Sequence, residues 1–222
     1  NGEIYNYLEL KQDLLDKGYI FDTHSDTEVL LNSFIEYGID CINKFIGMFA
    51  FCIFDKNKNE TYLVRDRLGV KPLYYAKNDK EIIFSSEIKS ILAIDKSYTQ
   101  LNKQAISSYM SFRYPILNDT FFQGVCSLPP AHYLKISNST NVEMVEYWSF
   151  CNSFKEQKND KGEEYYLKNL RSLLNSSVEY RMISDVPFGA FLSGGVDSSV
   201  ITSIMSNNSS TPIKTYSIGF EE

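Results

Sequence analysis

The sequence predicts two fold classes in succession: an α+β region over residues 1–150, then the start of an α/β doubly wound region over residues 165–222, joined by a linker at 151–164. Three features carry this reading. Between residues 48 and 148, short apolar stretches follow one another around polar turns, as antiparallel strands do. Residues 149–164 are polar and read as an inter-domain linker or exposed loop. Beyond them the order is helix, strand, glycine turn, helix, strand, which opens a parallel doubly wound sheet.

In the first region, Leu8, Leu14 and Leu15 mark a helix that Gly18 ends. Ser25-Asp26-Thr27-Glu28 has the form of a capping box, in which Ser25 caps and Glu28 reaches back. The helix it starts is expected to bury Val29, Leu30, Leu31, Phe34 and Ile35 and to close at Gly38. The run 48–54 is apolar almost throughout, so a strand covered on both faces is expected. A turn at 55–59, an alternating strand at 61–65, and strands at 73–76 and 82–85 follow. A helix over 102–112 stops before Tyr114-Pro115. Strands at 132–136 and 142–148 flank an Asn138-Ser139 turn.

In the second region Tyr166, Leu167, Leu170, Leu173, Leu174 and Val178 recur at helical spacing. A buried strand is expected over 186–192, then a glycine turn. A helix carrying Val196, Val200, Ile201, Ile204 and Met205 follows, and then a strand over 213–218. A single βαβ unit cannot bury a full core alone.

The chain has 222 residues and a net charge of −6, so no basic footprint points to nucleic acid. No apolar run has the length of a membrane span, and the opening residues lack the pattern of a signal peptide. Cys41, Cys52, Cys126 and Cys151 lie far apart without a CxxC pair, so reduced, buried thiols and a cytoplasmic compartment are expected. His24 and His132 make no metal pair by spacing. The chain opens at Asn1 without Met and stops at Glu222 after a strand; both ends are expected to be cuts through a longer protein.

The stretch Phe191-Leu192-Ser193-Gly194-Gly195-Val196-Asp197-Ser198-Ser199 holds the most chemistry. A strand-turn-helix aims backbone N–H groups and the positive helix end at one point, where a phosphate binds readily. Gly194 and Gly195 let backbone approach a ligand, and Ser193, Ser198 and Ser199 add hydroxyls. Asp197 repels phosphate directly but can hold a Mg²⁺ that attracts it. No lysine follows the glycines, which excludes the Walker-type loop. The alternative is a plain Gly-Gly turn with a serine-capped helix. At the other end, the Asn1 amide and the Gly2 N–H suit an oxyanion hole, or form an ordinary Asn-Gly turn. Asp26 suits a ligand amine, or simply favours a helix N-terminus.

Ser193-Gly194-Gly195-Val196-Asp197-Ser198 resembles the pyrophosphate loop of ATP pyrophosphatases, which cleave ATP between its α- and β-phosphates and activate a substrate as its adenylate. A second set of motifs occurs in order upstream. It comprises Asn1-Gly2-Glu3-Ile4-Tyr5-Asn6, Ser25-Asp26-Thr27-Glu28, Gly47-Met48-Phe49-Ala50-Phe51, Arg65-Asp66-Arg67-Leu68-Gly69-Val70-Lys71-Pro72-Leu73 and Ser86-Glu87-Ile88-Lys89. This set resembles the glutaminase domain of class II glutamine amidotransferases, within the N-terminal-nucleophile fold. Together the two sets resemble the glutamine-hydrolysing asparagine synthetase family over essentially the whole chain.

The resemblance implies roles. Asn1 and Gly2 would form the oxyanion hole, and Glu3 and Asp26 would bind the α-amino end of glutamine. Ser193, Gly194, Gly195 and Ser198 would hold the pyrophosphate of ATP, Asp197 a Mg²⁺, and Leu192 and Ile218 the adenosine. Arg65 and Asp66 would be structural or catalytic. The implied reaction amidates aspartate through an aspartyl-adenylate, with ammonia from glutamine, giving asparagine, glutamate, AMP and pyrophosphate. Two relatives with other outcomes stay open: one acting on another carboxylate such as a sugar acid, and a β-lactam-synthetase-like enzyme with an inactive glutaminase half. A non-enzymatic binding module is disfavoured by the pyrophosphate loop. The resemblance leaves a homodimer open. No residue matches the family's nucleophilic cysteine, and the upstream arginine and downstream acid-substrate pocket are not in the chain, so both halves are expected to be inactive as they stand.

Overall fold

The computed structural model describes residues 1–137, 141–153, 159–184 and 186–219. The expected Asn138-Ser139 turn, positions 154–158 of the expected linker, and Phe220 lie outside the described residues. The chain forms two compact units, Asn1–Lys155 and Glu156–Glu222.

The first unit runs β1 (Gly2–Ile4), α1 (Tyr7–Asp16), α2 (Asp26–Tyr37), β2 (Gly47–Asp55), β3 (Glu60–Arg65), β4 (Tyr74–Lys77), β5 (Ile82–Ser85), α3 (Ile88–Ile94), α4 (Lys103–Phe112), β6 (Val125–Ser127), β7 (His132–Ile136), β8 (Val142–Glu146) and α5 (Phe150–Ser153). A 3₁₀ segment, Gly38–Lys44, links α2 to β2, and a second, Lys96–Thr99, precedes α4. The strands form a five-stranded sheet, β1-β2-β3-β7-β8, and a three-stranded sheet, β5-β4-β6. Every pairing in both sheets is antiparallel, as the α+β reading expects.

Helices α1 and α2 cover one face of the large sheet. Ile4, Leu10, Leu14, Val29, Phe34, Cys41, Ile42, Phe45, Phe49, Ile53, Tyr62 and Val64 form that core. Across the sheet, Ala50, Leu63, Leu73, Leu128 and Leu134 form a second layer, and Ala76, Ile83, Ile91, Tyr98 and Val125 pack the small sheet against α3. Strand β3 is therefore covered on both faces: Tyr62, Leu63 and Val64 are all buried, where alternation was expected. The expectation for β2 holds only in its first half, since Cys52 and Phe54 are exposed beyond the reach of the second layer.

Local signals place the helix ends well. Ser25 Oγ accepts from Thr27 N at 3.2 Å, and Gly38 closes α2 with φ of 62°. The reciprocal half of the capping box does not form. Glu28 instead accepts from the N–H groups of Asp22 and Thr23, at 2.9 and 2.8 Å, and from the Thr23 hydroxyl, which holds its carboxyl below the ordinary value. Leu31 and Ile35 are exposed rather than buried, because only one stripe of α2 faces the sheet. They flank a groove of about 400 Å³ with Phe34 and Ile53. On α1 the buried positions are Leu10 and Leu14, one turn apart, while Leu8 and Leu15 face outward. Asn102 Oδ1 caps α4 at the N–H groups of Gln104 and Ala105.

The second unit runs α6 (Glu163–Arg181), β9 (Gly189–Phe191), α7 (Val196–Asn207) and β10 (Lys214–Tyr216). Strands β9 and β10 are parallel, with Ala190 opposite Thr215, so α7 is the crossover of a βαβ unit. Burial here falls short of the expected core: Val178 and Met205 are the buried apolar residues among those described in this unit. Phe191 is 79% exposed, so β9 is not the buried strand expected. Two strands and two helices offer too little surface to enclose it.

Strand β1 was not anticipated, and two glycines explain how it docks. A Cβ on Gly2 would lie 1.9 Å from Met48 O, and one on Gly47 would lie 2.1 Å from Glu3 O. The strands meet where only hydrogens fit on both sides. We expect Gly47→Ala to push β1 off β2 and to cost about 1–3 kcal/mol, the usual range for overpacking. Urea unfolding of the variant against the parent chain checks this; an unchanged midpoint would refute it.

Candidate active site

In the first unit the site grows from the edge of the large sheet. Asn1 and Ala50 exchange two main-chain bonds: Ala50 N donates to Asn1 O at 2.9 Å, and Asn1 N donates to Ala50 O at 3.1 Å. In an antiparallel ladder the next residue then turns its N–H away from the partner strand. Gly2 faces Phe49 in the register, so its N–H leaves the open edge of β1. Ile4, two residues on, sends its N–H off the same edge, where Asp26 Oδ2 accepts it at 3.0 Å. Asp26 Oδ1 accepts the Thr27 hydroxyl at 3.3 Å. The fold thus gathers Asn1, Gly2, Glu3 and Asp26 at one edge. Asn1, Gly2 and Glu3 are exposed and Asp26 is half-buried.

The Asn-Gly turn alternative does not hold. Gly2 lies in a strand with φ of 116°, a backbone that L side chains rarely adopt. Asp26 is also the first residue of α2, so its helix-end role is real and compatible with ligand binding. Asn1 Nδ2 donates to Ser86 Oγ at 3.3 Å, a contact between residues 85 apart that spacing could not reveal.

Arg65 and Asp66 take the structural alternative. Asp66 is 1% exposed, and its carboxylate accepts from the N–H groups of Leu68, Val70 and Lys71 at 3.0–3.1 Å. The Arg65 guanidinium donates to the carbonyls of Gly69, Lys71 and Leu128 and to Ser127 Oγ. Burial lowers its pKa, with the Asp66 charge opposing. Their polar groups serve the loop that follows β3.

The four cysteines are free. Cys41 is buried, and desolvation, aided by the Asp40 charge, pushes its thiol up to about 12. Cys52 and Cys151 are exposed, against the expectation of burial. None of the four belongs to the Asn1–Asp26 edge.

In the second unit, Ser193 and Ile218 follow the carboxyl ends of β9 and β10, where doubly wound sheets bind ligands. Leu192 N donates to Tyr216 O at 2.8 Å, and Ser217 Oγ donates to Leu192 O at 2.6 Å, which carries the pairing one residue past the strands and leaves Ile218 just beyond it. Gly194 has φ of 82°, and nothing lies within 4 Å of where its Cβ would be, so backbone conformation demands the glycine. Ser198 Oγ donates to Gly195 O, accepts from Ser193 N at 3.3 Å, and sits 3.1 Å from Ser193 Oγ. Helix α7 starts after Gly195 with no side-chain cap, so the serine-capped alternative fails. Asp197 is exposed in the first turn of α7. Among the described residues no group of three or more His, Cys, Asp or Glu gathers as a metal cluster.

Comparison with known proteins gives the family of each region. The sequence model of the glutamine amidotransferase domain matches residues 1–148, and the asparagine synthase model matches residues 169–222. The chain belongs to the glutamine amidotransferase domain family. It is 39% identical, over its whole length, to asparagine synthetase [glutamine-hydrolyzing] 1 of Bacillus subtilis, of which it covers 34%. It is 38% identical to putative asparagine synthetase [glutamine-hydrolyzing] 2 of Methanocaldococcus jannaschii, covering 42% of that protein. The chain thus spans about a third to two-fifths of these relatives. Among solved structures, the glutamine phosphoribosylpyrophosphate amidotransferase of B. subtilis complexed with ADP and GMP aligns with a TM-score of 0.45 and 17% identity, over 97% of this chain and 44% of that one. No helix among the described residues is long and apolar enough to cross a membrane.

The thiols offer a direct check. At about pH 8 a thiol with a strongly raised pKa has almost no reactive thiolate. Brief iodoacetamide treatment of the folded chain should label Cys151 first, Cys52 more slowly because desolvation raises its thiol pKa, and spare Cys41, which should react only in denaturant. Labelling of folded Cys41 as fast as Cys52 would contradict its burial.

Proposed function

We propose that the full-length protein is a cytoplasmic, ATP-dependent ligase that makes asparagine from aspartate with ammonia drawn from glutamine. In this reading residues 1–150 are the glutaminase domain, of N-terminal-nucleophile type, and 165–222 begin the synthetase domain, with 151–164 as linker. The observation that supports the reading is the edge of β1, where Asn1 and Gly2 lie close in sequence to Ile4, whose N–H the Asp26 carboxylate accepts. Attack on a glutamine amide turns its carbonyl oxygen into an oxyanion. The Asn1 Nδ2–H and Gly2 N–H are donors suited to that charge. Asp26, already oriented by Ile4 N–H, and Glu3 would take the α-amino group of the substrate, fixing glutamine at the end remote from the reacting amide.

In the second unit the open space around Gly194 and the uncapped start of α7 suit a pyrophosphate. Ser193 and Ser198 hydroxyls and the loop N–H groups would hold it, while Leu192 and Ile218 line the adenosine. Mg²⁺ typically takes one or two carboxylates and completes its shell with phosphate oxygens and water, so Asp197 is a sufficient protein ligand. ATP, bound with Mg²⁺, supplies the adenylate that activates the aspartate carboxylate.

Two variants of the full-length protein test this. Asn1→Ala should slow glutamine-dependent synthesis by about 10²–10³. It should leave ammonium-driven synthesis and the melting temperature nearly unchanged. Parallel loss of ammonium-driven synthesis would make Asn1 structural. Asp197→Asn should abolish ATP-dependent synthesis while glutamine hydrolysis persists; equal loss of both activities would overturn the two-site assignment.

A further inference from the structure

We propose that Ser86 is a positioning residue that holds the Asn1 carboxamide in place, with its Nδ2 end toward the reacting oxygen. The proposal rests on the oxyanion role given to Asn1 above. A carboxamide has a donor end and an acceptor end of nearly equal size, and its terminal torsion is broad. Only the Nδ2 end stabilises an oxyanion; the Oδ1 end repels it. Asn1 is exposed, so close packing does not choose between them. Ser86 Oγ, 3.3 Å from Nδ2, accepts one of its two hydrogens and leaves the other for the developing charge.

The anchor is itself well held. Ser86 directly follows β5, which pairs with β4 and belongs to the small sheet, not to the sheet of β1. The turn after it is pinned by Glu87 N donating to Ser85 Oγ at 3.2 Å, and α3 begins at Ile88. Asn1 is thus gripped twice: its main chain by Ala50 on β2, and its side chain by the end of β5. Losing the second grip frees the amide to rotate out of place without unseating the residue.

The full-length protein tests this with Ser86→Val and Ser86→Thr, which match in shape and differ in the hydroxyl. Removing one such hydrogen bond should lower kcat for glutamine hydrolysis about threefold to tenfold in Ser86→Val. KM for glutamine should stay constant, and Ser86→Thr should retain most of the rate. In an Asn1→Ala background, Ser86→Val should add no further loss, since its effect passes through Asn1. Equal rates for the Thr and Val variants, a change confined to KM, or the same loss in the Asn1→Ala background would each overturn the proposal. If Asn1→Ala slows hydrolysis while Ser86→Val does not, the positioning role alone fails. If Asn1→Ala has no effect, the oxyanion assignment fails and takes this role with it.

Discussion

The first unit depends on the buried polar knot at the end of β3. Asp66 sits at 1% exposure, and its carboxylate shapes residues 67–71 by accepting three of their N–H groups. Its main chain works as hard: Asp66 N donates to Phe49 O, and Asp66 O accepts from Gly69 N and Ala131 N. Arg65 extends the knot to Ser127 and Leu128, at the end of β6 in the other sheet. A buried charge of this kind is tolerable only when its polar partners are in place. The knot therefore joins the two sheets, and its main chain extends the β2–β3 ladder by one bond to Phe49. The Asp66 main-chain N–H thus ties the end of β3 to the residue opposite the candidate oxyanion donor Gly2.

Both candidate sites use backbone donors that secondary structure leaves over. At the edge of β1, antiparallel pairing consumes alternate N–H groups and turns the others outward. Ile4 gives its outward N–H to Asp26, while Gly2 presents its own beside it. At the start of α7, the first-turn N–H groups have no helical acceptor. The loop leaves them without a side-chain cap because the cap position is Gly195, while Ser198 folds back on Gly195 and Ser193. In each case glycine serves a different need. Gly2 and Gly47 permit close strand contact, whereas Gly194 permits a positive φ with empty space around it.

The two units differ in how complete they are as folded objects. The first encloses three apolar clusters around its sheets. The second leaves Leu167, Leu170 and Leu173 of α6 between 46% and 68% exposed, along with Phe191 of β9. Its geometry is held by backbone pairing of β9 with β10 and by hydroxyl bonds in the loop more than by burial.

The sequence by itself determined what is local. Ser25, Gly38 and Asn102 mark helix ends through bonds spanning a few residues, so α2 and α4 were readable at nearly their observed bounds. The glycine-serine loop before α7 was readable for the same reason, as was the α+β then α/β order. What needed tertiary structure is whatever depends on a distant partner. Strand β1 has three residues, too few to show a period, and exists only because two glycines let it meet β2. Residues 62–64 are covered on both faces, whereas β2 at Cys52 is covered only on the side of Ile53, a difference made by which layers lie across the sheet. Ser86 came to Asn1 across 85 residues of chain. Composition and spacing carry periodicity and caps, but not long-range register. That register decides which backbone donors stay open.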